Sequence, residues 1–455
     1  MKERILLFIF IAVITAFIII FQNYTDWGLG ILVALMALYF IVATLATKVH
    51  SRQELKHPKV KNENYKPFVS VMIPAHNEDS VIAATVEAVF KMDYPNYEVI
   101  AIDDRSTDNT AQVLKSLEPV YGERFKVLVR DKNAFPGKSA VLNNALKIAK
   151  GEAVLVFDAD ARMDKDFLTN LVYELEPDDV GAVQARKVIR NKDINLLTKC
   201  QNNEMTMDTS CQVSRDAVKG AVELRGNGEL IKRKALEDVG GWNNYTITDD
   251  LDLSTRLHIK GWDVRFCKDT IVYEEGIMYL WPLYRQRRRW LEGTIRRYLE
   301  YFGGIMTSNK MSLRVRLDTI AYISEFILPT WFIIEIFLLI LKIFVKGAPP
   351  TVLMSSVIMG IIIGIAFMLS FRYALRKYDN LSRIDAFTQS VITSAYVFII
   401  WFPLVIFIGA KILFKKKDLE WGKTAHGLVM HERAIQKAKD KIRQAKEELR
   451  KLLKM

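Results

Sequence analysis

The chain has 455 residues, with 64 Lys and Arg against 52 Asp and Glu, a net charge of +12. Half of the residues are hydrophobic and mean hydropathy is +0.08, high for a wholly soluble protein, while a charged fraction of 25% excludes a protein that is all membrane. The basic excess suits an anionic membrane surface or a phosphorylated substrate; a nucleic-acid partner is not expected, because basic and aromatic residues do not interleave along the polar region. Cys200, Cys211 and Cys267 form no CxxC pair, which points to a reducing compartment and away from a disulfide frame or a zinc site.

Residues 5–22 and 28–47 are almost uncharged and near spanning length, and no cleavage-site pattern follows the first. Lys2 and Arg4 before them and Arg52, Lys56, Lys59 and Lys61 after them place both flanks in the cytosol. Three later apolar stretches, 317–345, 351–375 and 386–414, are also expected to meet the membrane, with Arg372, Arg376, Lys377 and Arg383 marking an inner loop. Five crossings would put the basic tail from Lys415 outside, against the charge rule. One of the two proline-containing stretches (Pro329, Pro403) is therefore expected to lie along the interface, re-enter, or break into a hairpin.

The expected organisation is two N-terminal spans in 1–50, a cytosolic domain at 65–275, interfacial helices at 276–316, a membrane region at 317–414 and a basic cytosolic tail at 415–455. In the domain, strand-like runs at 69–73, 98–102, 125–129 and 153–157 alternate with helical patterns at 80–90, 108–117 and 138–149. This alternation predicts an α/β, Rossmann-like fold with a mostly parallel sheet covered on both faces. Ligands of such sheets sit at the carboxyl ends of the strands, and the acidic motifs fall at those ends.

Asp103 and Asp104 close the second predicted strand, in IAIDDRSTDNT. They serve either as capping groups of a turn or as acceptors for the N3–H of a pyrimidine base. Lys138 opens a helix after a Pro-Gly turn, where helix dipole and ammonium both favour phosphate; a solvated lysine is the alternative. Asp158 and Asp160 follow a VLVF strand, and two hard oxygen donors at this spacing suit Mg2+ or Mn2+ with phosphate completing the shell.

Thr248, Asp249 and Asp250 begin another helix, with Thr248 as N-cap. A tuned carboxylate at Asp250 could act as general base toward a hydroxyl, and Asp252 turns to another face. In the string Gln286-Arg287-Arg288-Arg289-Trp290, helical spacing puts Gln286, Arg289 and Trp290 on one face, a site for a diphosphate and a sugar ring. Arg287 and Arg288 are expected to point elsewhere, toward lipid phosphates. A plain interfacial helix with headgroup arginines and a belt tryptophan uses the same residues.

PAHNE (74–78), DDRSTD, GKSAVLN, DAD, TDD and QRRRW, in this order over roughly 68–301, resemble glycosyltransferase family 2 in its membrane-integrated QxxRW branch. That branch contains cellulose, hyaluronan and poly-N-acetylglucosamine synthases and lipid glucosyltransferases. The resemblance implies a GT-A fold between membrane helices and an inverting, metal-dependent transfer from a UDP-sugar. It assigns Asp104, with Asp103 beside it, to uridine and Lys138 to the nucleotide. It gives Asp158 and Asp160 the diphosphate and metal, Asp250 the base, and Arg289 and Trp290 the diphosphate and acceptor, with Gln286. TDD stands where TED is usual, and no PilZ-like module follows.

The stretch from Glu223 to Gly228 and on through TDD is similar to the lipid-glucosylating members, with Gly226, Asn227 and Gly228 expected at the acceptor. Trp421 to Thr424 resembles a C-terminal loop of several synthases. The expected acceptor is a glycerolipid, diacylglycerol. A growing polysaccharide is the alternative and would need more membrane helices, from a second copy of the chain or another partner. A non-catalytic scaffold would have lost one of these motifs. The tail 432–455 carries a helical apolar stripe among charges.

Overall fold

The computed structural model describes residues 2–20, 25–56, 61–346, 351–415 and 417. Two long helices, α1 (Lys2–Ile20) and α2 (Thr25–Lys56), lead into β1 (Val69–Ala75), α3 (Ile82–Phe90), β2 (Tyr97–Asp103), α4 (Thr110–Tyr121), β3 (Phe125–Val129), α5 (Lys138–Leu146) and β4 (Ala153–Val156). Then come β5 (Arg162–Met163), α6 (Phe167–Val172), β6 (Val180–Ile189), α7 (Leu196–Ala217), β7 (Glu229–Lys232), α8 (Arg233–Asp238), α9 (Asp249–Lys260) and β8 (Asp263–Glu274). Four helices follow: α10 (Leu280–Thr307), α11 (Leu313–Lys346), α12 (Thr351–Tyr378) and α13 (Arg383–Phe414).

The strands make one eight-stranded sheet in the order β3-β2-β1-β4-β7-β6-β8-β5. β1, β2, β3 and β4 run parallel, with Val69 opposite Tyr97 and Ala153, so the ends of β1, β2 and β4 emerge on one edge. β7 is antiparallel to β4 and β6, which brings its beginning to that same edge. The Gly226–Gly228 turn is thereby delivered beside Asp158: Gly228 N–H donates to Val156 O (2.9 Å) and Asp158 N–H to Asn227 Oδ1 (3.1 Å). β8 is parallel to β6 and ends at the edge too, where Glu275 N–H donates to Asp160 Oδ2 (3.1 Å).

Period-two alternation divides the apolar residues between the two faces. Val69, Val71, Ile73, Val99, Ala101 and Leu155 pack with α3, α4 and α6, whereas Met72, Ile100, Ile102, Val154 and Ile231 pack with α5, α8 and α9. Each fully buried Val, Leu or Ile side chain contributes roughly 1.5–3 kcal/mol, so the site rests on a rigid floor.

Among the described residues, α1 and α13 are long and apolar enough to cross a membrane by length and composition. The expected broken hairpin is not formed: α11 runs unbroken through Pro329 and α13 through Pro403. The predicted tail helix and the Trp421 loop lie outside the described residues.

Ion pairs join these helices to the sheet domain and to one another. Arg215 of α7 meets Asp318 of α11 at 2.8 Å, and Arg186 of β6 meets Asp379, at the end of α12, at 2.6 Å. On α10, Arg296 meets Glu3 of α1 at 2.8 Å, and Glu292 accepts from Lys411 of α13 at 2.5 Å.

Candidate active site

Lys138 is the first residue of α5, after Gly137 at φ +108°, a backbone angle that favours glycine. Its Nζ donates to Asp158 Oδ1 and to Gly226 O, both at 2.7 Å, and lies 3.9 Å from Asp249. Burial opposes the ammonium charge, but Asp158, Asp249 and Glu229 outweigh it and hold Lys138 above its ordinary pKa. One cation thus ties together the DAD strand end, the GNG turn and the TDD helix.

Asp250 sits in the first turn of α9, where its Oδ1 accepts from Leu251 N–H at 2.8 Å. Burial and the neighbouring Asp249 carboxylate push its pKa up to about 6, against the Leu251 N–H, Lys138 and Arg225. Gly226, at φ +76°, faces it so closely that a Cβ there would stand 3.1 Å from Asp250 Oδ2. Asp252 is engaged elsewhere, with Arg256 (2.6 Å) and Tyr301 OH (2.9 Å). Thr248 occupies the N-cap position as expected, but its side chain makes no capping bond; it packs against Gly293 of α10.

Gln286, Arg289 and Trp290 all line the cavity that contains Lys138, Asp158, Asp160 and Asp250, and so does Arg287, which helical spacing had turned away from them. Arg289 has no hydrogen-bond or ion-pair partner among the described residues, leaving its guanidinium available to an anion. Arg287 differs from expectation. It does not face lipid but is buried, paired with Glu204 of α7 at 2.6 Å, because that carboxylate lies beneath α10.

Four expected site residues are placed differently. Asp104 is fully buried and does not line the cavity: Arg130 (2.6 Å) and Arg105 (2.9 Å) hold its carboxylate. Asp103 is buried beside it, with Oδ2 accepting from Ser106 N–H (3.3 Å) and Oδ1 without a partner among the described residues. Asn227 and Gly228 face into the fold rather than the cavity. Asn227 caps the Asp158 N–H, and a Cβ on Gly228 would stand 2.8 Å from Val272, so of the GNG turn only Gly226 lines the cavity.

The structure adds residues that sequence reasoning missed. Glu229, the first residue of β7, is fully buried under the cluster and accepts from Gly226 N–H at 3.2 Å. Burial pushes its pKa far up; Lys138 opposes this, and Asp249, Asp250 and Asp158 add to it. Lys187 lines the cavity, pairs with Glu274 at 2.6 Å and lies 5.9 Å from the Trp290 ring centre. Only the position of Glu229 directly after GNG offered a sequence signal.

Asp158 and Asp160 also suit a hard divalent ion. Both carboxylates line the cavity, Asp158 with its side chain 39% exposed, and Mg2+ is commonly held by one or two carboxylates plus substrate phosphates.

A curled, mostly parallel sheet with an Asp-x-Asp strand end, a buried carboxylate opening a helix and an arginine lining the same cavity define a GT-A glycosyltransferase. The chain belongs to glycosyltransferase family 2. Residues 67–293 match the domain described as glycosyltransferase like family 2. The chain is 36% identical over 385 residues to the β-monoglucosyldiacylglycerol synthase of Trichormus variabilis, covering 82% of this chain and 79% of that protein. It is 28% identical over 288 residues to the poly-β-1,6-N-acetyl-D-glucosamine synthase of Staphylococcus epidermidis, covering 62% and 68%. Among solved structures, the mannosyltransferase PcManGT of Pyrobaculum calidifontis, in complex with GDP-Man and Mn2+, superposes with a TM-score of 0.53 at 22% identity. That match covers 82% of this chain and 98% of the other and shows the shared fold.

Proposed function

We propose that this glycosyltransferase moves glucose from UDP-glucose to the free hydroxyl of diacylglycerol, with inversion, at the cytosolic face of a membrane. The observation that carries the acceptor is one cavity of about 1450 Å3. It is lined both by Lys138, Asp158, Asp249 and Asp250 and by Phe326 of α11, Phe367 of α12 and Phe398 and Val405 of α13. An acceptor with a polar hydroxyl and acyl chains matches that division; a hydrated glycan would leave the apolar part unsolvated by polar groups. The relatives of Trichormus and Nostoc, each 36% identical and each named a monoglucosyldiacylglycerol synthase, support the same reading.

In the reaction, Asp250 accepts the proton of the acceptor hydroxyl as its oxygen attacks the anomeric carbon. The bond from that carbon to the β-phosphate oxygen breaks, and UDP leaves with the electron pair. Arg289 stabilises the charge developing on the diphosphate, and a divalent ion held by Asp158 and Asp160 would add Lewis-acid stabilisation. Such preorganised electrostatics are worth several kcal/mol. Lys138 keeps Asp158, Gly226 and the start of α9 in one arrangement, and Trp290 offers a flat surface to a sugar ring or glycerol backbone. We place both ends of the first helix pair in the cytosol, from the charges flanking α1 and α2.

The test is transfer of label from UDP-[14C]glucose by purified protein in bilayers containing diacylglycerol and Mg2+ or Mn2+. Label in the organic phase at one sugar per lipid supports the reading. A water-retained product of high mass would support a polysaccharide synthase, which the Staphylococcus relative favours.

A further inference from the structure

Glu204 lies on α7, outside every motif noted in the sequence, yet it touches both α10 and α13. Its Oε2 accepts from Arg287 Nη2 at 2.6 Å and from Tyr396 OH at 3.0 Å, and its Oε1 accepts from Trp401 Nε1 at 2.6 Å. Three donors on one carboxylate fix it in place, and the charge-assisted contact to arginine is the strongest of them. Arg287 relays that position. Its guanidinium lies 4.2 Å from the Trp290 ring centre and donates to Gln286 Oε1 at 2.6 Å. Both ends of the QRRRW string, Gln286 and Trp290, are thus held by one arginine, which is held by Glu204. A second tie beside it, Asn203 Nδ2 to Thr393 Oγ1 at 2.8 Å, keeps α7 against α13.

We infer that Glu204 is a positioning residue for the acceptor: through Arg287 it sets the orientation of Gln286 and Trp290, and through Trp401 and Tyr396 it registers that subsite against α13. Glu204 lines the cavity together with Arg287 and Trp401, and the inferred role is to position the subsite rather than to react. Lys138 and Asp158, on the nucleotide side, make no hydrogen bond to it among the described residues and are tied instead to each other and to Gly226. This inference rests on the proposed acceptor reading only for the choice of substrate.

The experiment compares wild type, Glu204→Gln, Tyr396→Phe and Trp401→Phe in bilayers, with UDP-glucose as donor and dioleoylglycerol as acceptor. UDP-glucose hydrolysis without acceptor is measured alongside. Glu204→Gln keeps the shape and removes the charge; the expected result is an acceptor KM raised about ten-fold or more, with donor KM and hydrolysis within about two-fold of wild type. Tyr396→Phe and Trp401→Phe each remove one donor and should shift acceptor KM in the same direction by less, which keeps the inference testable if Glu204→Gln does not fold. An unchanged acceptor KM in the folded variants, or donor and acceptor KM rising together, would overturn it. Wild type that ignores dioleoylglycerol but extends a glycan refutes the lipid reading alone; the same KM comparison, made with that glycan, then decides on Glu204.

Discussion

Gly293 of α10 lies directly against Thr248 at the start of α9: a Cβ on Gly293 would stand 2.4 Å from Thr248 Cγ2 and 2.6 Å from its Oγ1. This approach couples the helix carrying Gln286, Arg289 and Trp290 to the helix that presents Asp250. Gly293→Ala should force the two apart, at a cost of about 1–3 kcal/mol for overpacking. Turnover should fall about ten-fold or more while UDP binding stays near wild type. Adding Thr248→Ala removes the two closest atoms and should restore most of the activity. Steady-state kinetics and calorimetric UDP titration of the single and double variants check this, and a double variant no better than Gly293→Ala would refute the coupling.

The pH profile follows from Asp250. A base must be ionised to accept a proton, and burial with the Asp249 charge has raised its pKa to about 6. Activity should therefore rise with pH through about 6 and level off above it. Asp249→Asn removes the neighbouring negative charge, so the acidic limb should move to lower pH. An acidic limb unmoved by Asp249→Asn would argue against Asp250 as the group being titrated.

Asp104 should matter for stability more than for nucleotide affinity. Its carboxylate is fully buried between Arg130 and Arg105, and Asp104→Asn leaves those guanidiniums without their counter-charge. Breaking one side of a buried pair costs about 3–5 kcal/mol, so thermal unfolding should shift down clearly. A variant with wild-type melting and much weaker UDP binding would instead return Asp104 to the nucleotide.

Metal dependence is tested at Asp160, which does not share the Lys138 contact that Asp158 makes. Asp160→Ala should abolish the strengthening of UDP-glucose binding by Mn2+ in calorimetric titrations, with little effect on metal-free binding. Equal Mn2+ enhancement in wild type and variant would remove Asp160 from the metal site.

Much of the sheet was legible because its strands are short apolar runs ended by turn residues: β1, β2, β3 and β4 lie within two residues of expectation. The residues on the reacting edge were legible for a related reason, since strand ends and helix starts fix Lys138, Asp158 and Asp250 locally. What sequence did not show depends on distant pairing. Asp104 is claimed by Arg130, 26 positions on, and Arg287 by Glu204, 83 positions back. Helical spacing turned Arg287 away from the functional face, yet it lines the cavity, and nothing local revealed the carboxylate beneath it. Asn227 and Gly228 were misplaced because a Gly-Asn-Gly turn can face a ligand or a neighbouring strand, and Val272 decides it here.

The central claim is that Asp250 takes the proton from the acceptor, and Asp250→Asn tests it most directly. Transfer from UDP-glucose should be measured together with UDP binding on the same folded preparation. The account predicts wild-type UDP affinity with turnover reduced by about 10²–10⁴, the usual worth of a general base. A folded variant that binds UDP and transfers glucose at the wild-type rate would contradict it.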